Sequence, residues 1–308
     1  MSGIDHLRAM ARLALRGMRA GESASAASTT PRRRLAVEKP ALWIDPARVR
    51  RYLRATGGDA IEAFRGPDAV APPLYSATWA ATAVLELLAA MDPPLPLGAF
   101  LHVEEEVMPI RTLHVGERVR FRLELDRVER TPGGARLTLV ARTWNAAGVL
   151  CWQGTSVMLA RPRTRPDGDA SRTRTHASAP DAPHAWHVAD AWALGAGAGR
   201  RYARASGDYN PVHLWGMTAR AFGFRQPILH GFCTAARVAH HLVQGPFQGD
   251  PGALRRLQIS FRGPILLPAR VHLRTPSDEA AHRFRVTDEA GSIVYAEGSS
   301  NGTDGPPA

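Results

Sequence analysis

A carboxylate and an imidazole fall close together in Tyr202-Ala203-Arg204-Ala205-Ser206-Gly207-Asp208-Tyr209-Asn210-Pro211-Val212-His213. Gly207 and Pro211 forbid a regular helix across the middle of this run. They predict a tight loop that brings Asp208 and His213 together. Such a pair makes an acid/base site. The carboxylate fixes the imidazole tautomer, and the two side chains hold one water between them. Asn210 is placed to orient that water or a substrate carbonyl. A second element follows at His230-Gly231, where a helix is expected to begin. The first N–H groups of a helix lack intrahelical partners, and its dipole is positive there. Gly231 leaves room for close approach, so this end can stabilise charge developing on a carbonyl oxygen. Taken singly, each residue also has an ordinary structural reading. Asp208 could be a turn or cap residue, His213 a surface histidine and Gly231 simple helix punctuation.

The elements that must hold these residues can be read on either side. A helix is expected from about Gly231 to Gln244, closed by Gly245-Pro246. Strand-like runs follow near Arg256–Arg262, Ala269–Arg274, His282–Asp288 and Ile293–Ser299, and a short helix is expected to lead into Tyr202. The N-terminal half repeats the plan. Leu74–Met91 reads as a buried helix, apolar nearly all round and ended by Asp92-Pro93-Pro94. Strands are expected near Phe100–Met108, Glu117–Arg130, Ala135–Trp144 and Val149–Ala160, with turns at Pro132-Gly133-Gly134 and Asn145–Gly148. One apolar helix followed by antiparallel strands, twice, argues for duplication. A sheet wrapped on a helix explains the helix's all-round apolarity.

The motif, its aromatic lead and the downstream Phe222-Gly223-Phe224-Arg225-Gln226-Pro227-Ile228-Leu229-His230-Gly231-Phe232 together resemble the signature of the MaoC-like acyl dehydratases, which include the R-specific enoyl-CoA hydratases (hydratase 2). The spacing from Asp208 through His213 to His230-Gly231 matches without a gap. The resemblance is strong over about Trp186–Asn301 and weaker over about Ala41–Arg163. It implies an α+β double hot-dog fold of two antiparallel sheets, each wrapped around a central helix. It also implies reversible hydration of trans-2-enoyl thioesters, or dehydration of (3R)-3-hydroxyacyl thioesters. In that reading Asp208 and His213 are catalytic and Gly231 contributes to the oxyanion hole. Ser206, Gly207, Asn210 and Pro211 support the loop. The chain departs from the pattern after His213: Leu214-Trp215-Gly216 stands where many relatives have a small or acidic residue and then proline. Trp215, with Phe232, is expected to shape substrate access. The N-terminal half lacks the motif and resembles the degenerate half of a double hot-dog protein, making room for the acyl chain. Two rival functions remain: a non-catalytic acyl-thioester binding subunit, and a hot-dog thioesterase.

Length and composition set the frame. At roughly 150 residues per domain, 308 residues suggest two domains, and 44% hydrophobic with 22% charged residues is a globular balance. The expected division is a flexible basic N-terminal extension over 1–40, a degenerate hot-dog domain over 41–160, a linker over 161–185, a catalytic hot-dog domain over 186–301 and a tail over 302–308. The linker is nearly devoid of large apolar residues, so it cannot support a core. No apolar run approaches the roughly 20 residues of a membrane span, and membrane contact through the basic N-terminal segment is not expected.

The formal charge of +11 rests almost wholly on arginine, Lys39 being the single lysine. Biased codon usage explains part of that. The functional reading is a positive surface that attracts an anionic partner: coenzyme A or an acyl carrier protein as part of the substrate, with no nucleic-acid motif in view. A homodimer is compatible with the fold. Two cysteines, Cys151 and Cys233, imply no disulfide framework and fit a reducing, cytoplasmic setting; Cys233 is read as a small buried thiol. No metal site is expected, because His213, His230, His240 and His241 lack a known ligand spacing. No redox cofactor is expected either: Gly195–Gly199 lacks the dinucleotide fingerprint. Glu104-Glu105-Glu106 is read as a solvated carboxylate run.

Overall fold

A computed structural model describes residues 35–91, 100–131, 134–160, 186–277 and 282–302. The extension up to residue 34, the linker over 161–185, the stop at Asp92-Pro93-Pro94 and the tail beyond Gly302 lie outside the described residues.

The first half runs β1 (Ala36–Trp43), α1 (Pro46–Thr56), a 3-10 segment (Tyr75–Trp79) continuing into α2 (Ala80–Ala89), then β2 (Phe100–Pro109), β3 (Arg118–Thr131), β4 (Gly134–Asn145) and β5 (Leu150–Ala160). The second runs β6 (Trp186–Leu194), α3 (Ala198–Ser206), a 3-10 turn (Pro211–His213), α4 (Gly216–Ala221), α5 (Gly231–Gln244), then β7 (Arg256–Phe261), β8 (Ala269–Pro276), β9 (Arg283–Asp288) and β10 (Val294–Asn301). Their spatial order is β1-β3-β4-β5-β2-β7-β10-β9-β8-β6. Read outward from the β2–β7 seam, both halves give the same succession. The second strand comes first, then the fifth, fourth, third and first. That identity of order is what a duplication leaves behind.

Two separate sheets were expected; the strands form one antiparallel sheet of ten. The reason is at the seam. Glu104 to Val107 of β2 pair with Ser260 to Leu257 of β7, so neither half ends in an open edge there. Burial alternates along β4, with Ala135, Leu137, Leu139, Ala141 and Thr143 turned inward. This is the pattern of a sheet with one face on the core.

Several expectations shift. Residues 36–40, grouped with the extension, belong to β1, with 36–39 paired to β3. Pro40 disguised that strand. It is tolerated because β1 is at the sheet edge and its register slips between Lys39 and Leu42. The expected helix Leu74–Met91 divides into the buried 3-10 segment and a shorter α2, whose Glu86 faces Lys39 at 2.7 Å. α1, β6 and α4 are elements that the sequence does not announce. By contrast α5 spans Gly231–Gln244 as expected, with Cys233, Thr234, Ala235, Ala236, Val238, Ala239, His240, Leu242 and Val243 buried. Among them Val238, Leu242 and Val243 each contribute about 1.5–3 kcal/mol of burial.

α1 and α3 share a short pattern that the sequence reading passed over: Tyr52-Leu53-Arg54-Ala55-Thr56-Gly57 against Tyr202-Ala203-Arg204-Ala205-Ser206-Gly207. Thr56 and Ser206 each donate a side-chain hydrogen bond to the tyrosine carbonyl four residues back, at 2.8 and 2.9 Å. Gly57 and Gly207 each end their helix in the left-handed conformation, at φ 76° and 84°. The two tyrosine rings meet at 6.1 Å. Beyond the glycine the halves diverge, to Gly58-Asp59 in one and Asp208-Tyr209-Asn210-Pro211 in the other.

The seam between α1 and α5 holds a buried histidine. Thr56 Oγ1 spends its hydrogen on the Tyr52 carbonyl, so at 2.9 Å it accepts from His240 Nε2. Burial, and then the neighbouring Arg237 charge, push the His240 pKa down to about 3. A lowered histidine pKa favours the fold above the unfolded value of about 6.5 and penalises it below. Stability is therefore expected to fall as pH drops from 6.5 towards 3, by about 4 to 5 kcal/mol from this group if the shift is fully developed. Urea titrations of wild type and His240→Leu across that range test it; parallel losses in both would assign the acid sensitivity elsewhere.

Candidate active site

α3 ends because Gly207 takes a left-handed φ of 84°, which turns the chain back and presents Asp208. Three short-range hydrogen bonds then lock the loop. Ser206 Oγ accepts from Asp208 N at 3.1 Å, Asp208 Oδ1 accepts from Asn210 N at 3.1 Å, and Asn210 Oδ1 caps the 3-10 turn at Val212 N, 3.4 Å away. Pro211 starts that turn, and its carbonyl accepts from Thr218 Oγ1 at 2.6 Å. Ser206, Gly207, Asn210 and Pro211 thus act on the backbone. Asn210 uses its side-chain oxygen as a cap.

The turn carries His213 back over Asp208. One side-chain atom each of Asp208, His213 and His230 lie within 4.8 Å of one another. The ring of His230, the cap residue of α5, stacks on His213 at 3.7 Å with the planes 27° apart. His230 Nε2 lies 3.1 Å from the Asp208 carbonyl, to which it donates, and 3.9 Å from Asp208 Oδ2. From the sequence, His230 was expected at a helix start, with no part in the acid/base pair. Its packing against both Asp208 and His213 is a tertiary finding.

Hydrogen bonding fixes the His213 tautomer. Nδ1 lies 2.9 Å from the Ile228 carbonyl, which can only accept, so Nδ1 carries the hydrogen and Nε2 keeps its lone pair. Burial lowers the His213 pKa, against the opposing pull of the Asp208 carboxylate and the Ile228 bond. The imidazole is thus neutral at neutral pH, and its Nε2 can accept a hydrogen bond. Three such side chains, one carboxylate and two imidazoles, could also surround a metal ion. However, nearly parallel rings 3.7 Å apart do not share the in-plane point that two imidazoles on one ion require.

Gly231 opens α5 directly beside this cluster, and His230 gives the helix no side-chain cap. Among the described residues the Gly231 N–H has no acceptor. A Cβ at Gly231 would lie 3.1 Å from both His102 Nδ1 and Phe261 Cζ, so only glycine fits without a neighbour giving way. Phe232 packs on His102 at 4.7 Å between ring centroids. Trp215 stands 54% exposed before α4, a placement open to arriving ligands.

The carboxylate run near the seam is only partly solvated. Glu104 and Glu106 pair with Arg136 and Arg256. Glu105 points the other way and is 2% exposed, accepting from Ser156 Oγ at 2.5 Å and lying 3.0 Å from His102 Nε2. Burial raises its pKa while those two bonds oppose the rise. Strand alternation predicted opposite faces for the three; which face was the core needed the sheet. Both cysteines are buried, and burial raises the pKa of each thiol, as a packed rather than reactive cysteine requires.

Gly199 is a further residue whose role the sequence did not disclose. It belongs to α3, and a Cβ there would overlap the His213 carbonyl oxygen.

Comparison with known proteins places these features. Residues 175–297 match the family model described as MaoC like domain. Over 244 residues the chain is 28% identical to 3-hydroxyacyl-thioester dehydratase X of Mycobacterium tuberculosis, covering 79% of this chain and 80% of that one. A shorter match, 40% over 58 residues, is to the peroxisomal enoyl-CoA hydratase 2 of Arabidopsis thaliana, and covers 19% of each protein. The crystal structure of HtdX from Mycobacterium tuberculosis superposes with a TM-score of 0.69 at 23% identity, covering 87% of this chain and 99% of that one. A second protein of that organism, described as having a double hotdog fold, gives 0.58 at 12% identity, over 88% and 97%. The fold is therefore of the double hot-dog kind.

Proposed function

Since this chain carries a domain of the MaoC-like dehydratase family, we propose that it adds water to trans-2-enoyl thioesters and removes it from (3R)-3-hydroxyacyl thioesters. The observation that carries the reading is the convergence of Asp208, His213 and His230 within 4.8 Å at the uncapped start of α5. The catalytic pair is Asp208 and His213. One water donates one hydrogen to the Asp208 carboxylate and the other to His213 Nε2, which leaves an oxygen lone pair free to attack C3. As the O–C3 bond forms, the C2–C3 π electrons move toward the thioester oxygen. The Gly231 N–H and the α5 dipole stabilise that charge. Asp208 takes the water's proton, and the proton is delivered to C2 as the carbonyl re-forms. Dehydration runs the same steps backwards. Adding or removing water changes no net oxidation level, so no redox cofactor is needed. Residues 41–160 act as the non-catalytic half and 186–301 as the catalytic one, with Trp215 and Phe232 shaping access.

The thiol carrier is anionic in this reading, and the charge distribution supports it. α1, α3 and α4 together hold Arg48, Arg50, Arg51, Arg54, Arg200, Arg201, Arg204 and Arg220 and no acidic residue. Many arginines of the sheet and its margin are matched with carboxylates: Arg122 and Arg142 with Glu124, Arg136 with Glu104, Arg256 with Glu106, Arg262 and Arg285 with Glu297. Codon bias alone would not sort them this way. Positive potential beside the Asp208 loop attracts the phosphates of coenzyme A or an acidic carrier protein. No described helix is long and apolar enough to cross a membrane.

The test offers crotonyl-CoA to the purified protein with EDTA present, following enoyl absorbance and free thiol together. Loss of enoyl absorbance with the thioester intact is expected. Thiol release would instead identify a thioesterase, and neither signal would leave a binding subunit. Protonation of His213 removes the acceptor that holds the water, so kcat/KM is expected to fall with decreasing pH, with its midpoint below the ordinary histidine value of about 6.5. A midpoint above that value would contradict a buried, neutral His213.

A further inference from the structure

We propose that Arg48, from the N-terminal half, is the residue that positions Asp208 for catalysis. This rests on the functional reading above. Arg48 lies on α1, far from the motif in sequence, yet its guanidinium grips the end of α3. Nε donates to the Ala205 carbonyl at 2.8 Å and Nη2 to the Ser206 carbonyl at 2.6 Å. Nη2 also reaches the Thr78 carbonyl at 3.2 Å, which ties the grip to the 3-10 segment of the N-terminal half.

The physical logic is local. The last carbonyls of a helix have no intrahelical partner, and a cation there meets the negative end of the dipole. The planar guanidinium fork spans two adjacent carbonyls in one fixed geometry, which a freely rotating ammonium does not impose. The Ser206 carbonyl belongs to the peptide that immediately precedes Gly207, and Gly207 is the conformationally free residue on which the chain turns. With that peptide plane fixed by Arg48, and Asp208 N held by Ser206 Oγ, the glycine cannot swing. A Cβ at Gly207 would come within 3.7 Å of Arg48 Nη2, so the guanidinium lies directly over the turn. The packing of α1 on α3 has its own support in the Tyr52–Tyr202 contact, so removing the fork leaves the halves joined. The half without the motif therefore does more than make room for an acyl chain.

The experiment compares wild type, Arg48→Gln, Arg48→Lys, Asp208→Asn and the Arg48→Gln/Asp208→Asn double variant in crotonyl-CoA hydration, with thermal melts for each. Arg48→Gln is expected to lower kcat about 10- to 100-fold, as a displaced reacting group does. KM should change by no more than about threefold, because the fork is engaged by backbone carbonyls and the other seven arginines of α1, α3 and α4 keep the positive potential. Arg48→Lys should recover part of the loss. The double variant should be no slower than Asp208→Asn alone, since Arg48 acts through Asp208. A purely structural role would lower the active fraction with the melting temperature and would multiply with Asp208→Asn. That pattern, or a folded Arg48→Gln with unchanged kcat while Asp208→Asn is inactive, overturns this inference and leaves the functional reading standing. Should Arg48→Gln not fold, an unchanged kcat in Arg48→Lys overturns it equally. A wild type without hydratase activity overturns both.

Discussion

Asp208→Asn is expected to lower kcat for hydration by on the order of a thousandfold, in the range for loss of a positioned acid/base group, with the melting temperature nearly unchanged. The substitution is nearly isosteric, and its consequence divides cleanly. The loop uses Asp208 Oδ1 as an acceptor for Asn210 N at 3.1 Å, and an amide oxygen serves that bond equally well. Only the proton-accepting role goes. An amide cannot take the water's proton, and if its NH₂ faces the water it competes with the donation that the mechanism requires. His213→Ala should be comparably slow for a different reason, since it deletes the Nε2 lone pair. It also removes the stacking surface of His230, at 3.7 Å, so it should be less stable as well. Steady-state rates beside thermal melts separate these two. A folded Asp208→Asn within tenfold of wild type, about 1.4 kcal/mol in the barrier, would remove Asp208 from the chemistry.

Gly199→Ala should fail in the opposite manner, losing stability and rate together. Helix propensity alone says that alanine improves α3 by up to about 1 kcal/mol. Packing overrides it. The added methyl would overlap the His213 carbonyl oxygen and lie 3.1 Å from its carbon, and both neighbours are backbone, which has no rotamer to escape into. Either α3 shifts or the Pro211–His213 turn does. Overpacking of this kind costs about 1–3 kcal/mol. Displacing the turn moves the His213 ring relative to Asp208, and an error of about 1 Å can cost a hundredfold in rate. A variant that melts higher than wild type and keeps its kcat would show that the turn accommodates the methyl freely. The contrast between the two variants is informative. One leaves the scaffold intact and deletes a proton acceptor; the other keeps every functional group and spoils its placement.

The chemistry-bearing loop was legible from the sequence alone, because the residues that shape its turn lie close together in the chain. Gly207 supplies the left-handed turn, Asn210 caps the next turn and Pro211 starts it, all within a few residues of Asp208 and His213. The run from Gly231, closed by Gly245-Pro246, likewise announced α5, since a helix and its stop signal are written in consecutive residues. Tertiary structure decided what depends on meetings between distant segments. The joining of two expected sheets into one lies in the β2–β7 pairing, and backbone hydrogen bonds carry no side-chain signature. His230 stacks on His213, Gly199 fits beneath the His213 carbonyl, and Arg48 closes the end of α3 across 158 positions. Each of these is a contact between segments that any residue pattern leaves unlinked until the chain is folded, so periodicity and spacing are blind to it.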